Sequence, residues 1–374
     1  MTGNKDVSPR ALLIAVVAAF VVGILGSLSI RPPGGSAAVS DAERASGTFE
    51  PVRWRVTSSF TSNMPVIGQA PHHVAADLHA MTGGAFQMQL FDPGEVVPAL
   101  EITESVKERK VQAGFQWIGY DQGRIPASTL IAAVPFGMEP MEFTAWWYYG
   151  GGRELGEALY EEHDVMPILC SITGPETAGW FREPVESLDD LVGMKIRFAG
   201  LGGKILQRLG ASVTMIPGGE IFQALEKGAI DASEFSLPAV DQLLGFGRVA
   251  KYNYFPGWHQ PFSTAHMLVN LQVWEALSDQ SRALVRVACR ASVADTMSEA
   301  ESLQGAVIAG FAEQGVQAQT LPDEILQELR TVAIEVLDEE AEKDEQFARI
   351  LQSQREFSAI YRHWKTKGYL PRDF

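Results

Sequence analysis

Apolar and polar positions alternate from Val52 to Ser59 (VRWRVTSS) and again from Phe86 to Phe91 (FQMQLF), the two-residue period of a half-buried strand. Between them, Pro71–Met81 has helical spacing, and Thr82-Gly83-Gly84 stops it. Pro98–Lys110 reads as a second helix and Val111–Trp117 as a third strand. This order predicts a mainly parallel sheet covered by helices, because parallel neighbours need a crossover connection. Phe143–Asp164 is helical with an interruption at Gly150-Gly151-Gly152, and Val165–Ile172 is an apolar strand.

Near residue 175 the pattern begins again. Leu188–Leu191 is a short turn or helix, Met194–Phe198 a strand, Lys204–Leu209 a helix and Ser212–Ile216 a strand. Glu220–Lys227 follows as a helix and Ala229–Glu234 as a strand. Val249–Phe255 and Ala265–Asn270 are strand-like and are read as crossing back. From Gln272 onward the chain reads as almost wholly helical, and its charge-rich stretch VLDEEAEKDEQFARI as a solvated helix face. The expected architecture is α/β: two lobes joined by hinge strands, closed by C-terminal helices, with a ligand cleft between the lobes.

The N-terminus changes where this clamp is expected to work. Met1–Arg10 is short and basic, Ala11–Ile30 is a mostly apolar run, and small residues follow at Ser36, Ala37 and Ala38. That is the order of a secretory signal peptide. Twenty residues also suffice for an uncleaved membrane anchor. Either reading places the rest of the chain outside the cytoplasm.

Composition is that of a globular protein, with 46% apolar and 20% charged residues. The formal net charge is −16, which repels phosphate backbones and argues against nucleic acid as a partner. An anionic ligand would need local cations to overcome that field. Cys170 and Cys289 form no CxxC motif. One disulfide is open to an exported chain, and the plainer reading is two buried free thiols. No phosphate loop, GxGxxG after a strand, HExxH or GxSxG occurs. His72-His73 reads as half-exposed packing on a helix. The absence of catalytic motifs favours a binding module over an enzyme.

The run from Arg153 to Asn270 resembles the solute receptors of tripartite ATP-independent periplasmic (TRAP) transporters. The strings that carry the resemblance are TGPETAGWFREPVESLDDLVGMKIRFAGLGGKILQRLGASVTMIPGGEIFQALEKGAIDASEF and KYNYFPGWHQPFST, with FDPGEVVPALEITESVKERKVQAGF, VPFGM and AWWYYGGGRELGEAL upstream. Coverage runs from Trp54 to the C-terminus, and the branch that looks most similar binds 2-oxo and 2-hydroxy monocarboxylates with a metal ion. The resemblance implies a periplasmic-binding-protein-like fold. Its expected parts are a signal or anchor at 1–38, lobe I at 48–174 plus 263–302, lobe II at 175–262 plus 303–330, and C-terminal helices at 331–374. It implies membrane subunits as partners and permits a homodimer through the C-terminal helices. A sensor module handing its ligand to a signalling receptor, or a receptor for dicarboxylates or sugar acids, would present the same cleft.

The resemblance assigns Arg197, at the end of MKIR, to the ligand carboxylate, a role suited to a planar, always-charged, bidentate guanidinium. It assigns Glu234, the backbone carbonyl of Phe235, and Gln260 to a Ca²⁺ or Na⁺ ion, since hard ions take oxygen ligands. Glu176 stands where a neutral Gln is expected. If it joins Glu234 and a substrate carboxylate around the ion, three negative charges favour a divalent cation. Trp180, Phe235 and Trp258 are expected in the apolar wall, and Tyr120 as a phenolic donor from lobe I. Ser59 and Phe60 are weaker candidates, and His259 receives no role.

Overall fold

The computed structural model describes residues 49–370. The signal or anchor segment read in residues 1–38 lies outside the described residues. From Pro51 onward the chain forms one compact unit built on two sheets.

Eleven strands are described: β1 Val52–Ser58, β2 Phe86–Phe91, β3 Ala113–Gln116, β4 Val165–Ile172, β5 Gly179–Phe181, β6 Lys195–Arg197, β7 Ser212–Thr214, β8 Ala232–Ser233, β9 Tyr252–Phe255, β10 Thr264–Asn270 and β11 Gln317–Thr320. The first sheet runs β2-β1-β3-β10-β4 and the second β11-β9-β5-β8-β6-β7. In the first, β1 pairs in parallel with β2 and β3, and β10 lies antiparallel between β3 and β4. Every residue of β4 and β10 is buried, as expected of strands covered on both faces.

The chain passes between the sheets through residues 173–178 and again through 256–263. These segments are laced together: Thr173 N–H donates to the Ser263 carbonyl (2.8 Å), Ser263 N–H to Thr173 Oγ1 (3.0 Å) and Glu176 N–H to the Gln260 carbonyl (3.3 Å). At Gly257 any Cβ would come within 2.3 Å of the Glu176 carbonyl oxygen. The close approach therefore requires glycine there.

One expectation is corrected. Cys170, on β4, and Cys289, on the helix Asp279–Ala309, form a disulfide and are not free thiols. The helix lies along β4, also bonding Thr296 Oγ1 to the Ile172 carbonyl (3.2 Å), so residues 119 apart meet. The chain beyond Gln272 is almost wholly helical, as expected, with one short strand. β11 pairs in parallel with β9, from Gln317 opposite Tyr252 to Thr320 opposite Phe255. It is a mostly exposed edge strand with the sequence QAQT, so no apolar periodicity announces it. The short β5, GWF, is a second strand without a periodic signal.

The final helices, Asp323–Lys343 and Glu345–Gly368, divide their attachments. The former pairs Lys204 with Glu340 (2.5 Å) and Arg208 with Glu339 (2.6 Å), on the helix Gly200–Arg208. The latter takes a hydrogen bond from Trp146 Nε1 at Ser353 Oγ (3.1 Å), and its Gln354 donates to the Leu130 carbonyl (2.7 Å). Among the described residues no helix is long and apolar enough to cross a membrane.

Candidate functional site

Arg197 ends β6 and Glu234 follows β8, its parallel neighbour. The register sets the two side chains next to each other. Arg197 Nη1 donates to the Glu234 backbone carbonyl (2.7 Å) and to Glu234 Oε1 (2.8 Å), and Nε donates to the Ile216 carbonyl (3.3 Å). Both residues are 1% exposed. Glu234 Oε1 also accepts from Ala199 N–H (2.6 Å), while buried Oε2 has no hydrogen-bond partner. Burial pushes the Glu234 carboxyl up, against the pull of Arg197 and the Ala199 N–H. The Arg197 guanidinium lies 5.4 Å over the Phe235 ring.

Glu176, on the first crossing, is buried in the same place. Burial, then the charges of Glu234 and Asp241, hold its carboxyl well above the usual range. With its amide assigned so that the nitrogen faces Glu176, Gln260 of the second crossing donates to both Glu176 oxygens (3.2 and 2.5 Å). Asp241 is fully buried behind them, accepts from Trp180 Nε1 (2.8 Å), and is pushed by burial to about 8. Three buried carboxyl groups thus gather around one buried guanidinium. That imbalance is costly unless protons or cations correct it.

His259 is the residue that pattern reading left without a role. It is buried, neither ring nitrogen has a hydrogen-bond partner, and Nε2 lies 4.0 Å from Glu234 Oε2. Burial and Arg197 lower its pKa to about 3, so the ring is neutral. One ligand atom each from Glu176, Glu234 and His259 fall within 4.8 Å of one another. An anionic, oxygen-rich, buried cluster with an unpartnered carboxylate oxygen fits a hard cation. The only hint of His259 in the sequence was its place beside Gln260.

These groups open onto a small cavity lined from the second sheet and the crossings by Glu176, Arg197, Glu234, Phe235 and Gln260. From the first sheet's side Phe60, Ile67, Trp117 and Tyr120 face them. Tyr120 comes up to the site as expected, and burial pushes its phenol to about 12 against the pull of Arg197. Trp180 and Trp258 do not line the cavity. Trp180 packs edge-on to Phe246 and Phe311, and Trp258 stacks between Phe136 and Phe198. Ser59 spends its hydroxyl on the Ala99 carbonyl (2.6 Å).

Residues 57–344 match the model of DctP, bacterial extracellular solute-binding protein family 7. The chain belongs to this family. It is 33% identical over 306 residues to a monocarboxylate 2-oxoacid-binding periplasmic protein of a Nostoc species, covering 82% of this chain and 84% of that one. Two solved structures share the DctP-family fold with it. One is a TRAP transporter solute-binding protein from Bordetella bronchiseptica with calcium and picolinate in its site (28% identity, TM-score 0.82, covering 84% of this chain and 94% of that one). The other, from Pseudoalteromonas atlantica, holds sodium and pyruvate (30% identity, TM-score 0.81, 84% and 96%). The two-lobe clamp expected from the sequence is therefore the observed fold.

Proposed function

We propose that this chain is the extracytoplasmic receptor of a TRAP transporter and that it binds a small 2-oxo or 2-hydroxy monocarboxylate together with a Ca²⁺ or Na⁺ ion. The observation that carries the reading is the buried Arg197 beside Glu234, at a cavity between the two sheets, with a second buried carboxyl at Glu176. Arg197 grips the ligand carboxylate, and Tyr120 donates to it from the opposite lobe. Glu234 Oε2, the Phe235 carbonyl, Glu176 and Gln260, its amide turned over, supply oxygens for the ion. The cation supplies the positive charge that lets these carboxylates and an anionic ligand share one buried place.

We assign residues 48–174 and 263–302 to lobe I and 175–262 and 303–330 to lobe II. Glu176 and Gln260 sit on the crossings, so closing the lobes around ligand completes the site. A closed form favoured by ligand is what membrane subunits would recognise. The site binds and does no chemistry, so ligand recovered after incubation is unchanged by NMR. Residues 1–38 direct export, and N-terminal sequencing of the mature protein checks it.

The test is a thermal-shift panel on chelator-treated residues 39–374. A 2-oxo or 2-hydroxy acid added with Ca²⁺ or Na⁺ raises Tm, and a hundredfold excess over Kd stabilises by about 2.7 kcal/mol. No rise with any monocarboxylate under either ion overturns the reading.

A further inference from the structure

Resting on that reading, we propose that Phe60, Ile67 and Trp117 form a fixed stop that restricts this receptor to acids with the shortest side chains. The charged groups sit at one side of the cavity, on β6, after β8 and on the crossings. A ligand held by its carboxylate there points its tail at the opposite side, where Phe60, Ile67 and Trp117 stand beside Tyr120, Ser171, Thr173 and Thr264. The space between is about 20 Å³ of room for water centres, little more than the roughly 10–15 Å³ one water needs. An acid head group enters by taking over contacts that Arg197 and Glu234 now make to each other. The tail has only what the three apolar side chains leave it.

Those side chains are not free to retreat. Trp117 packs its indole on the start of the helix Gly200–Arg208, where a Cβ at Gly200 would come within 2.9 Å of the ring. It also meets Tyr120 edge-on at 5.1 Å. Phe60 contacts Phe235 edge-on at 6.5 Å across the cavity, and its N–H donates to Ser58 Oγ (3.1 Å). Ile67 sits in a tight loop whose Gln69 side chain donates to the Ser62 carbonyl (2.7 Å). Its neighbour Val66 has φ 62°, a left-handed conformation that a β-branched residue rarely adopts. Backbone strain of this kind persists only where the surroundings over-determine it, and it gathers at ligand clamps. Here it sets the residue that faces the ligand tail.

The experiment is calorimetric titration, with the supporting ion present, of pyruvate, 2-oxobutyrate, 4-methyl-2-oxopentanoate and picolinate into the wild-type protein and into Phe60→Ala and Ile67→Ala. Overpacking a well-filled site costs 1–3 kcal/mol, or about 5- to 150-fold. In the wild type, affinity falls at least tenfold from pyruvate to 4-methyl-2-oxopentanoate, and picolinate binds more weakly than pyruvate. Each variant narrows the pyruvate-to-4-methyl-2-oxopentanoate ratio, and Phe60→Leu restores part of the wild-type ratio. A merely structural role would lower Tm and leave the ratio unmoved. A wild type that binds 4-methyl-2-oxopentanoate within threefold of pyruvate overturns the stop. Failure to bind any of the four overturns the receptor reading instead.

Discussion

The two sheets divide the work unequally. The first has strands of four to eight residues, three of them buried along their whole length, and is tied by a disulfide to the longest described helix. The second has strands of two to four residues and carries, with the crossings and the helix Pro238–Leu243, Arg197, Glu234, Glu176 and Asp241. One half is held by long buried strands and a disulfide. The other holds a charge imbalance that its own short strands do nothing to relieve. Stability and recognition are thus built in different places, and substitutions should separate them.

The largest effect is expected at Arg197. Arg197→Met leaves Glu234 buried without its partner, which costs about 3–5 kcal/mol, and it abolishes carboxylate binding. Pairing it with Glu234→Gln restores much of the stability in urea titration while binding stays lost. If the double variant bound ligand normally, the division would collapse. Next comes the disulfide: Cys170→Ala with Cys289→Ala lowers stability by about 2–5 kcal/mol and leaves ligand affinity within twofold. A large affinity loss there would show that the first sheet's anchoring also shapes the site.

A subtler effect concerns Asp241. Its carboxyl is raised to about 8 in the folded protein, against about 3.9 unfolded. Between those values the folded state holds the extra proton, so stability falls as pH rises, by up to about 1.4 kcal/mol per unit. Asp241→Asn, which keeps an acceptor for Trp180, should flatten that slope in urea titrations from pH 5 to 8. An unchanged slope would place the dependence on other groups. The smallest effect is expected at Arg208, whose pairs with Glu335 and Glu339 are exposed. Arg208→Ala should leave Tm within experimental scatter, and a clear drop would give the C-terminal helices a larger share in holding the second half.

The same inequality governed what could be read from sequence. The strands Phe86–Phe91 and Val165–Ile172 were legible to the residue, because long alternating or wholly apolar runs leave a clear period. Gly179–Phe181 and Gln317–Thr320 were not, because three or four residues at a turn or an edge carry no period. Arg197, Glu234, Phe235, Glu176, Gln260 and Tyr120 meet at one cavity, and the resemblance, not periodicity, brought them to notice. Trp180 and Trp258 showed only that they are large and apolar. Which side of a wall such a ring faces is decided by packing partners distant in sequence. His259 was invisible because its burial and unpartnered nitrogens are properties of the folded site.

The place of β10 has a consequence for how the chain comes to be folded. The strand between β3 and β4 is drawn from residues 264–270, and the second sheet's edge from residues 317–320. A chain emerging from its N-terminal end therefore lacks the strand that joins β3 to β4 until more than two-thirds of it has appeared. Distant pairings of this kind form slowly. For a member of an extracellular family the delay is useful, since a polypeptide whose β4 is not yet joined to β3 is one that a translocation channel can thread.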